Sequence, residues 1–288
     1  HKSIQGHKLK QIEQLKSLGH FNVSIDEEGL NRNCDKMYFH YKLSRKCLSL
    51  VDAFFSWGED DKNLISKNFN ESKDKIYIAG NSRIDLLKNP LFQEKKALEL
   101  RSKYGEFLFF PTKFGRCNFY KNTWDSSKFG KHDPTKKINT YPEAMKANIP
   151  DMSDNLYADL ARNEFWEKRN MELYMEAIGK CAEIYSTKNI IIRPHPAEDI
   201  DAWFEFSKKV SNIKVIYEGE ISPWINASSG LLHRGCTSAI QAHMQGLPIA
   251  YFITDKSNIV YQTPYDISKK LESFDQLVEF CRGAIDKS

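Results

Sequence analysis

NIIIRPHPAEDIDAWFEFSKKVSNIKVIYEGEISPWINASSGLLHRGCTSAIQAHMQGLPIAYFI, residues 189–253, is the most regular part of the chain. Short apolar runs bounded by turn residues read as buried strands, and longer segments with apolar residues at helical spacing read as helices. The strands are NIII (189–192), IKVIYEG (213–219), GLLH (230–233) and PIAYF (248–252). Between them lie the helical segments AEDIDAWFEFSKKVS (197–211), SPWINAS (222–228) and TSAIQAHMQG (237–246), and SFDQLVEFCRGAI (273–285) closes the chain. Alternation at this density predicts a doubly wound parallel sheet that binds ligands at the carboxyl ends of its strands. The four strands should then be adjacent, with residues 193–196 and 233–238 opening on one edge.

Upstream, DNLYADLARNEFWEKRNMELYMEAIGKCAEIYS (154–186) reads as one or two long helices, and EFLFFPT (106–112) as another buried strand. Between them, residues 113–137 show no clear period and carry seven Lys/Arg against two Asp, interleaved with five aromatic residues. A loop of that length in a compact domain is usually functional or disordered. NPLFQEKKALELRSKYG (89–105) looks like a connecting helix. Before it, FNVSID (21–26), the strand within LSLVDAFFSWG (48–58) and KIYIAG (75–80) alternate with helical segments in the same manner. The fold class expected is α/β with two Rossmann-like lobes. Residues 1–89 would be a partial, truncated N-terminal lobe on the acceptor side, 90–104 the connector, and 105–288 the C-terminal nucleotide-sugar-binding lobe.

Composition narrows the functional classes. A chain of 288 residues with 41% apolar content can bury a sizeable core. The net charge of +4 is small for this length and gives no reason to expect nucleic acid as a partner. No apolar run reaches the ~18 residues of a membrane span. The six cysteines are scattered without a C-x-x-C pair, which fits a reducing cytosol, and neither they nor the histidines show metal-ligand spacing.

Three places carry residues suited to chemistry. Arg193-Pro194-His195-Pro196 follows directly on a buried strand, where two prolines fix the backbone. An Arg and a His presented there suit a phosphate-bearing ligand, and a rigid turn with a solvated Arg is the plain alternative. His233-Arg234-Gly235-Cys236-Thr237-Ser238 leads from a strand into a helix, where Gly235 permits a tight turn and the hydroxyls and amides form an anion site. A simple N-cap by Thr237 or Ser238 is the alternative there. Asp26-Glu27-Glu28-Gly29 ends a strand of the first lobe, and Glu28 or Glu27 is a candidate general base or nucleophile, or else an acidic cap.

These residues carry a resemblance. GNSRIDLL (80–87), PTKFGRCN (111–118), RPHP (193–196) and SPWINASSGLLHRGCTSAIQAHMQGLPIA (222–250) resemble the surface carbohydrate biosynthesis proteins, two-lobed glycosyltransferases of the GT-B type. The turn containing Gly80, Asn81 and Asp85 is similar to the interlobe turn of Kdo transferases and UDP-GlcNAc 2-epimerases. His195-Pro196 resembles the nucleotide-binding motif of bacterial sialyltransferases, capsule Kdo transferases and CDP-glycerol glycerophosphotransferases, whose donors are activated by a cytidine nucleotide. The resemblance implies a glycosyltransferase of bacterial capsule or lipopolysaccharide biosynthesis, using a CMP-linked ulosonic acid such as Kdo; a CDP-glycerol-type polyol-phosphate transferase, a nucleotide-sugar epimerase and a non-catalytic glycan-binding partner are the alternatives. It implies no cofactor beyond that donor and no metal. Arg193, His195, Pro196, His233, Arg234, Gly235, Cys236, Thr237, Ser238 and Gln241 would bind the donor, Gln241 standing where an acidic residue is expected to hold the ribose. Asn81, Arg83, Lys113, Phe114, Gly115 and Asn118 would be further contacts to donor or acceptor, and the acidic turn would supply catalysis. A glycan or lipid-linked acceptor and a cytoplasmic location complete the expectation, with peripheral association at the inner face of the membrane left open.

Overall fold

In the computed structural model, residues 4–26, 39, 43–89, 93–119, 140–148, 153–253 and 262–285 are described. The chain divides into two compact units, residues 1–92 with 260–266 and residues 93–259 with 267–288.

The larger unit is built on a six-stranded, wholly parallel sheet of β4 (Phe107–Pro111), β5 (Asn189–Arg193), β6 (Ile213–Val215), β7 (Gly230–His233), β8 (Ile249–Phe252) and β9 (Lys269–Leu271). Their order is β6-β5-β4-β7-β8-β9. Counted within the unit this is 3-2-1-4-5-6, the doubly wound Rossmann order. The central strand is Phe-Leu-Phe-Phe-Pro, buried at every position, as expected where helices cover both faces of a parallel sheet. Side chains alternate along a strand. Leu108 and Phe110 with Ile190 and Ile192 therefore join one core, and Phe107 and Phe109 with Ile191 join another.

The first core is covered by α7 (Asp154–Ile184) and α12 (Phe274–Ile285). The segment read as one or two helices is thus a single helix, with Ser153 Oγ accepting from Leu156 N–H at its start. It buries Met171, Tyr174, Ile178 and Cys181 at the three-and-four spacing of one apolar stripe. The second core is covered by α5 (Glu94–Tyr104), α9 (Ser222–Ala227) and α10 (Ser238–Met244). Arg101 of α5 donates to the carbonyls of Asn226 and Ala227, so the helix read as a connector packs within this unit.

Two expectations are corrected. NIII, KVIYEG, GLLH and PIAYF are parallel but do not form one adjacent set, because β4 lies between β5 and β7 and pairs with both. A doubly wound sheet starts at its centre and grows outward in both directions. Within AEDIDAWFEFSKKVS only α8 (Asp201–Ser207) is helical, and residues 197–200 turn tightly before it. The strand β9 and the short helix α11 (Gln262–Asp266) carry too few residues for a periodic signal.

The smaller unit contains a three-stranded parallel sheet, β1 (Val23–Ile25), β2 (Ala53–Ser56) and β3 (Ile76–Ile78), in that order. The helices α1 (Leu9–Ser17), α2 (Arg45–Leu50), α3 (Glu59–Asn68) and α4 (Ser82–Leu87) accompany it. Ile12, Cys47, Leu48, Phe54, Ile65 and Ile76 share its core. In the larger unit, α6 (Tyr141–Asn148) precedes α7.

Candidate functional site

In a doubly wound sheet the crevice lies outside the carboxyl ends of the strands, where the winding direction reverses. That place is the junction of β4 and β7, flanked by the loops at 112–118 and 234–237, with the loop at 194–200 after β5 next to it. Residues 193–196 and 233–238 therefore do open on the same edge. Lys113 spans the reversal, its Nζ donating to the Gly235 carbonyl at 3.2 Å.

The loops after β4 and β5 are held by two carboxylates. Glu198, 1% exposed, accepts at Oε1 from Thr112 Oγ1 (2.7 Å), Phe114 N–H (2.9 Å) and His195 N–H (3.4 Å), and at Oε2 from Trp203 Nε1–H (2.8 Å). Burial pushes its carboxyl up to about 7, and these donors oppose a further rise. Glu167 of α7 accepts from the N–H groups of Arg116 (2.6 Å) and Cys117 (3.1 Å), with the Arg116 guanidinium 3.6 Å away. Burial raises its carboxyl too, and Arg116 counteracts this. Neither carboxylate figures among the sequence-derived candidates. The signal for Glu198 is local, an acid three residues after His195 in a proline-bounded turn. Glu167 sits mid-helix and carries no such signal.

His195 is exposed, and its Nδ1 accepts from Ala197 N–H at 3.1 Å. In the neutral ring the proton is then on Nε2, which makes the imidazole a donor on its other side. Pro196 is also exposed, and its carbonyl accepts from Tyr217 OH at 3.4 Å. Arg193, which ends β5, is half-buried. Its guanidinium donates to the carbonyls of Glu218 and Gly219 and so pins the loop after β6.

The loop after β7 divides into inward and outward parts. His233 is wholly buried, its Nδ1 accepting from Gly235 N–H (3.0 Å) and its Nε2 bonded to Ser268 Oγ (2.8 Å). Burial, with Arg234 and Lys113 nearby, pushes its pKa down to about 3. A neutral, enclosed imidazole shapes the loop and has no exposed surface for a donor phosphate, which corrects the expectation of a charge-bearing ligand group. Arg234 lies over the Tyr251 ring at 5.2 Å and donates to its hydroxyl. Gly235 has φ 94°, a left-handed conformation that glycine takes without strain. Cys236 is buried, and the half-buried Thr237 makes no side-chain cap to the two-turn α10. Ser238 Oγ, on a residue 2% exposed, has no hydrogen-bond partner. The simple N-cap is therefore not what these hydroxyls form. Gln241, one turn further on, is buried and accepts at Oε1 from Ser222 Oγ at 3.5 Å.

Phe114 is 1% exposed and packs its ring on Tyr174 and Trp203, so it belongs to the core and not to a ligand surface. Gly115 lies against Ala197. Asn118 ties the same two loops, its Nδ2 donating to the Asp199 carbonyl (2.9 Å) and its own carbonyl accepting from Asp199 N–H (2.8 Å). In the smaller unit Asn81 is buried after Gly80, and its carbonyl accepts from Ile84 N–H at the start of α4. Arg83 lies within α4, and its side chain is outside the described residues. Asp26 follows β1, its carbonyl accepting from the Trp57 indole N–H. Glu27 and Glu28 lie outside the described residues, as do residues 120–137 of the basic, aromatic loop. Among the described residues no group of three or more His, Cys, Asp or Glu could hold a metal ion, and no helix is long and apolar enough to cross a membrane.

No protein-family model matches the chain, and no curated protein matches it. Solved structures do. The UDP-GlcNAc 2-epimerase of Methanocaldococcus jannaschii, in complex with UDP-GlcNAc and UDP, is similar with a TM-score of 0.57 at 15% identity, over 97% of this chain and 66% of that one. The UDP-GlcNAc 2-epimerase of Neisseria meningitidis, bound to UDP-GlcNAc, is similar with a TM-score of 0.52 at 13% identity, over 96% and 70%. The chain thus spans just under two thirds of the length of the first. The fold is of the GT-B type. Its two parallel sheets, of six and three strands, are consistent with two Rossmann-like lobes.

Proposed function

We propose that this chain is a glycosyltransferase of bacterial surface polysaccharide biosynthesis, capsule or lipopolysaccharide. Its donor in this reading is a nucleotide sugar, a CMP-linked ulosonic acid such as Kdo, and its acceptor a glycan or lipid-linked glycan at the cytoplasmic face of the membrane. One observation carries the reading. At the reversal point of the sheet, the Lys113 ammonium and the Nε2–H side of His195 lie on loops that leave the same edge. Cations and preorganised donors there would stabilise negative charge growing on a leaving phosphate. Glu28, or Glu27 beside it, would take the acceptor proton or attack the anomeric carbon.

Charge neutralisation by protein groups makes the proposed transfer independent of metal, so turnover should survive chelation. CMP or CDP should raise the melting temperature by binding the native state, more than UDP or GDP does, and His195→Ala should remove the shift while leaving the lobe folded. A shift that survives that substitution would take His195 out of the site.

A second reading follows from two of the similar structures, which are epimerases. An epimerase converts its nucleotide sugar without an acceptor, so turnover of donor alone to an isomer would replace transfer by epimerisation. Release of glycerol phosphate onto a polyol acceptor from CDP-glycerol would mark the third class.

A further inference from the structure

Glu198 occupies an unusual position for a carboxylate that faces no solvent. Its four donors come from three elements: Thr112 and Phe114 after β4, His195 after β5, and Trp203 of α8. A buried carboxylate is costly unless it is fully bonded, and at a purely structural position an apolar side chain would avoid that cost. The bonding pattern centres on His195. The carboxylate accepts from His195 N–H, Thr112 Oγ1 accepts from the same N–H at 3.2 Å, and the backbone N–H of Glu198 donates to the His195 carbonyl at 2.8 Å. The turn closed in this way is the one in which Ala197 N–H reaches Nδ1 of the imidazole.

We infer that Glu198 is a positioning residue: it locks the His195 turn to the Thr112 loop, so that the imidazole keeps its proton on Nε2 and presents it along the edge shared with Lys113. The inference rests on the reading of His195 as a donor-phosphate ligand. It adds a residue that acts on the ligand only through His195, and a single donor tautomer suits an anionic phosphate.

A thermodynamic cycle on the full chain tests it, with CMP as the probe in calorimetry and nitrogen NMR of the His195 ring as a ligand-independent readout. Glu198→Ala should weaken CMP binding by about tenfold or more, a loss of ~1.4 kcal/mol. Glu198→Gln keeps an oxygen acceptor and should stay within about threefold. In a His195→Ala background Glu198→Ala should cost no further affinity, because groups acting through one contact are not additive. The two ring nitrogens, one protonated and one not, should stay distinct in wild type and Glu198→Gln and move together in Glu198→Ala. If Glu198→Ala does not fold, Thr112→Val, which deletes the hydroxyl between Glu198 and His195 N–H, takes its place in the cycle. Losses that multiply across the cycle, or ring signals indifferent to Glu198, overturn the inference. If wild type binds no CMP, the donor reading fails by itself, and the ring signals still decide whether Glu198 sets His195.

Discussion

Two buried groups on either side of β4, Glu198 after β5 and His233 at the end of β7, respond to acid in opposite directions. The folded pKa of Glu198, about 7, lies above the ordinary 4.5, so between those values the native state holds a proton that the unfolded chain has released. That contribution is complete below pH 4.5 and is lost as pH rises to 7. The folded pKa of His233, about 3, lies below the ordinary 6.5, so in the interval between them the unfolded chain takes up a proton that the native state refuses, and stability is lost as pH is lowered. From about pH 4.5 to 6.5 the two slopes, each ~1.4 kcal/mol per pH unit, cancel. Glu198→Gln should therefore expose a loss of stability on acidification through that window, and His233→Gln a gain, both read from urea unfolding at several pH values. Parallel pH profiles for wild type and both variants would show that neither group titrates as assigned. At this scale the sequence was an uneven guide. The loops bearing His195 and His233 were legible because proline and glycine punctuate them. The direction each imidazole faces was not, because it depends on Ser268 and Ala197, which no spacing rule connects to either histidine.

Among the elements, β7 and α12 approach each other closely at Gly230. A Cβ on Gly230 would sit 2.8 Å from Ala284 Cβ, a methyl fixed to helix backbone that cannot rotate away. Gly230→Ala should thus force α12 off the sheet and cost about 1–3 kcal/mol. Gly283, on the exposed side of the same helix, has nothing within 4 Å of its added Cβ. Gly283→Ala should stabilise by ~0.5–1 kcal/mol. Opposite signs from one methyl at two glycines, measured by thermal melts, would establish the packing; equal signs would refute it. Long elements were readable here because periodicity accumulates along them, as in α7, whereas three-residue β9 offers too few positions for any period to show. The turn at 197–200 was read as helix because Ala, Glu and Asp suit a first helical turn; the bonds of Glu198 to both adjoining loops overrule that preference.

At the scale of the whole molecule, strand–helix alternation made the α/β class and the carboxyl-edge location of the loops readable. The strand order was not readable, since alternation leaves open on which side of the first strand each later one is added. Catalysis belongs to this scale too, because the proposed acidic turn lies outside the six-stranded lobe. Glu28→Gln should leave CMP binding unchanged and reduce transfer by about 100-fold or more, the range of a general base. If Glu27→Gln does so instead, the two exchange roles; if neither substitution matters, the turn is a cap. The central place of β4 has a consequence in time. It is the first strand of its lobe to leave the ribosome, yet its partners β5 and β7 come far later, and the residues of the Lys113–Gly235 bridge beside it are 122 apart in the chain. Until those partners are synthesised, Phe107–Phe110 is an unpaired apolar strand with two open edges, and closing such distant contacts is slow. Refolding of this lobe should take milliseconds to seconds, and chains halted before residue 230 should aggregate through β4.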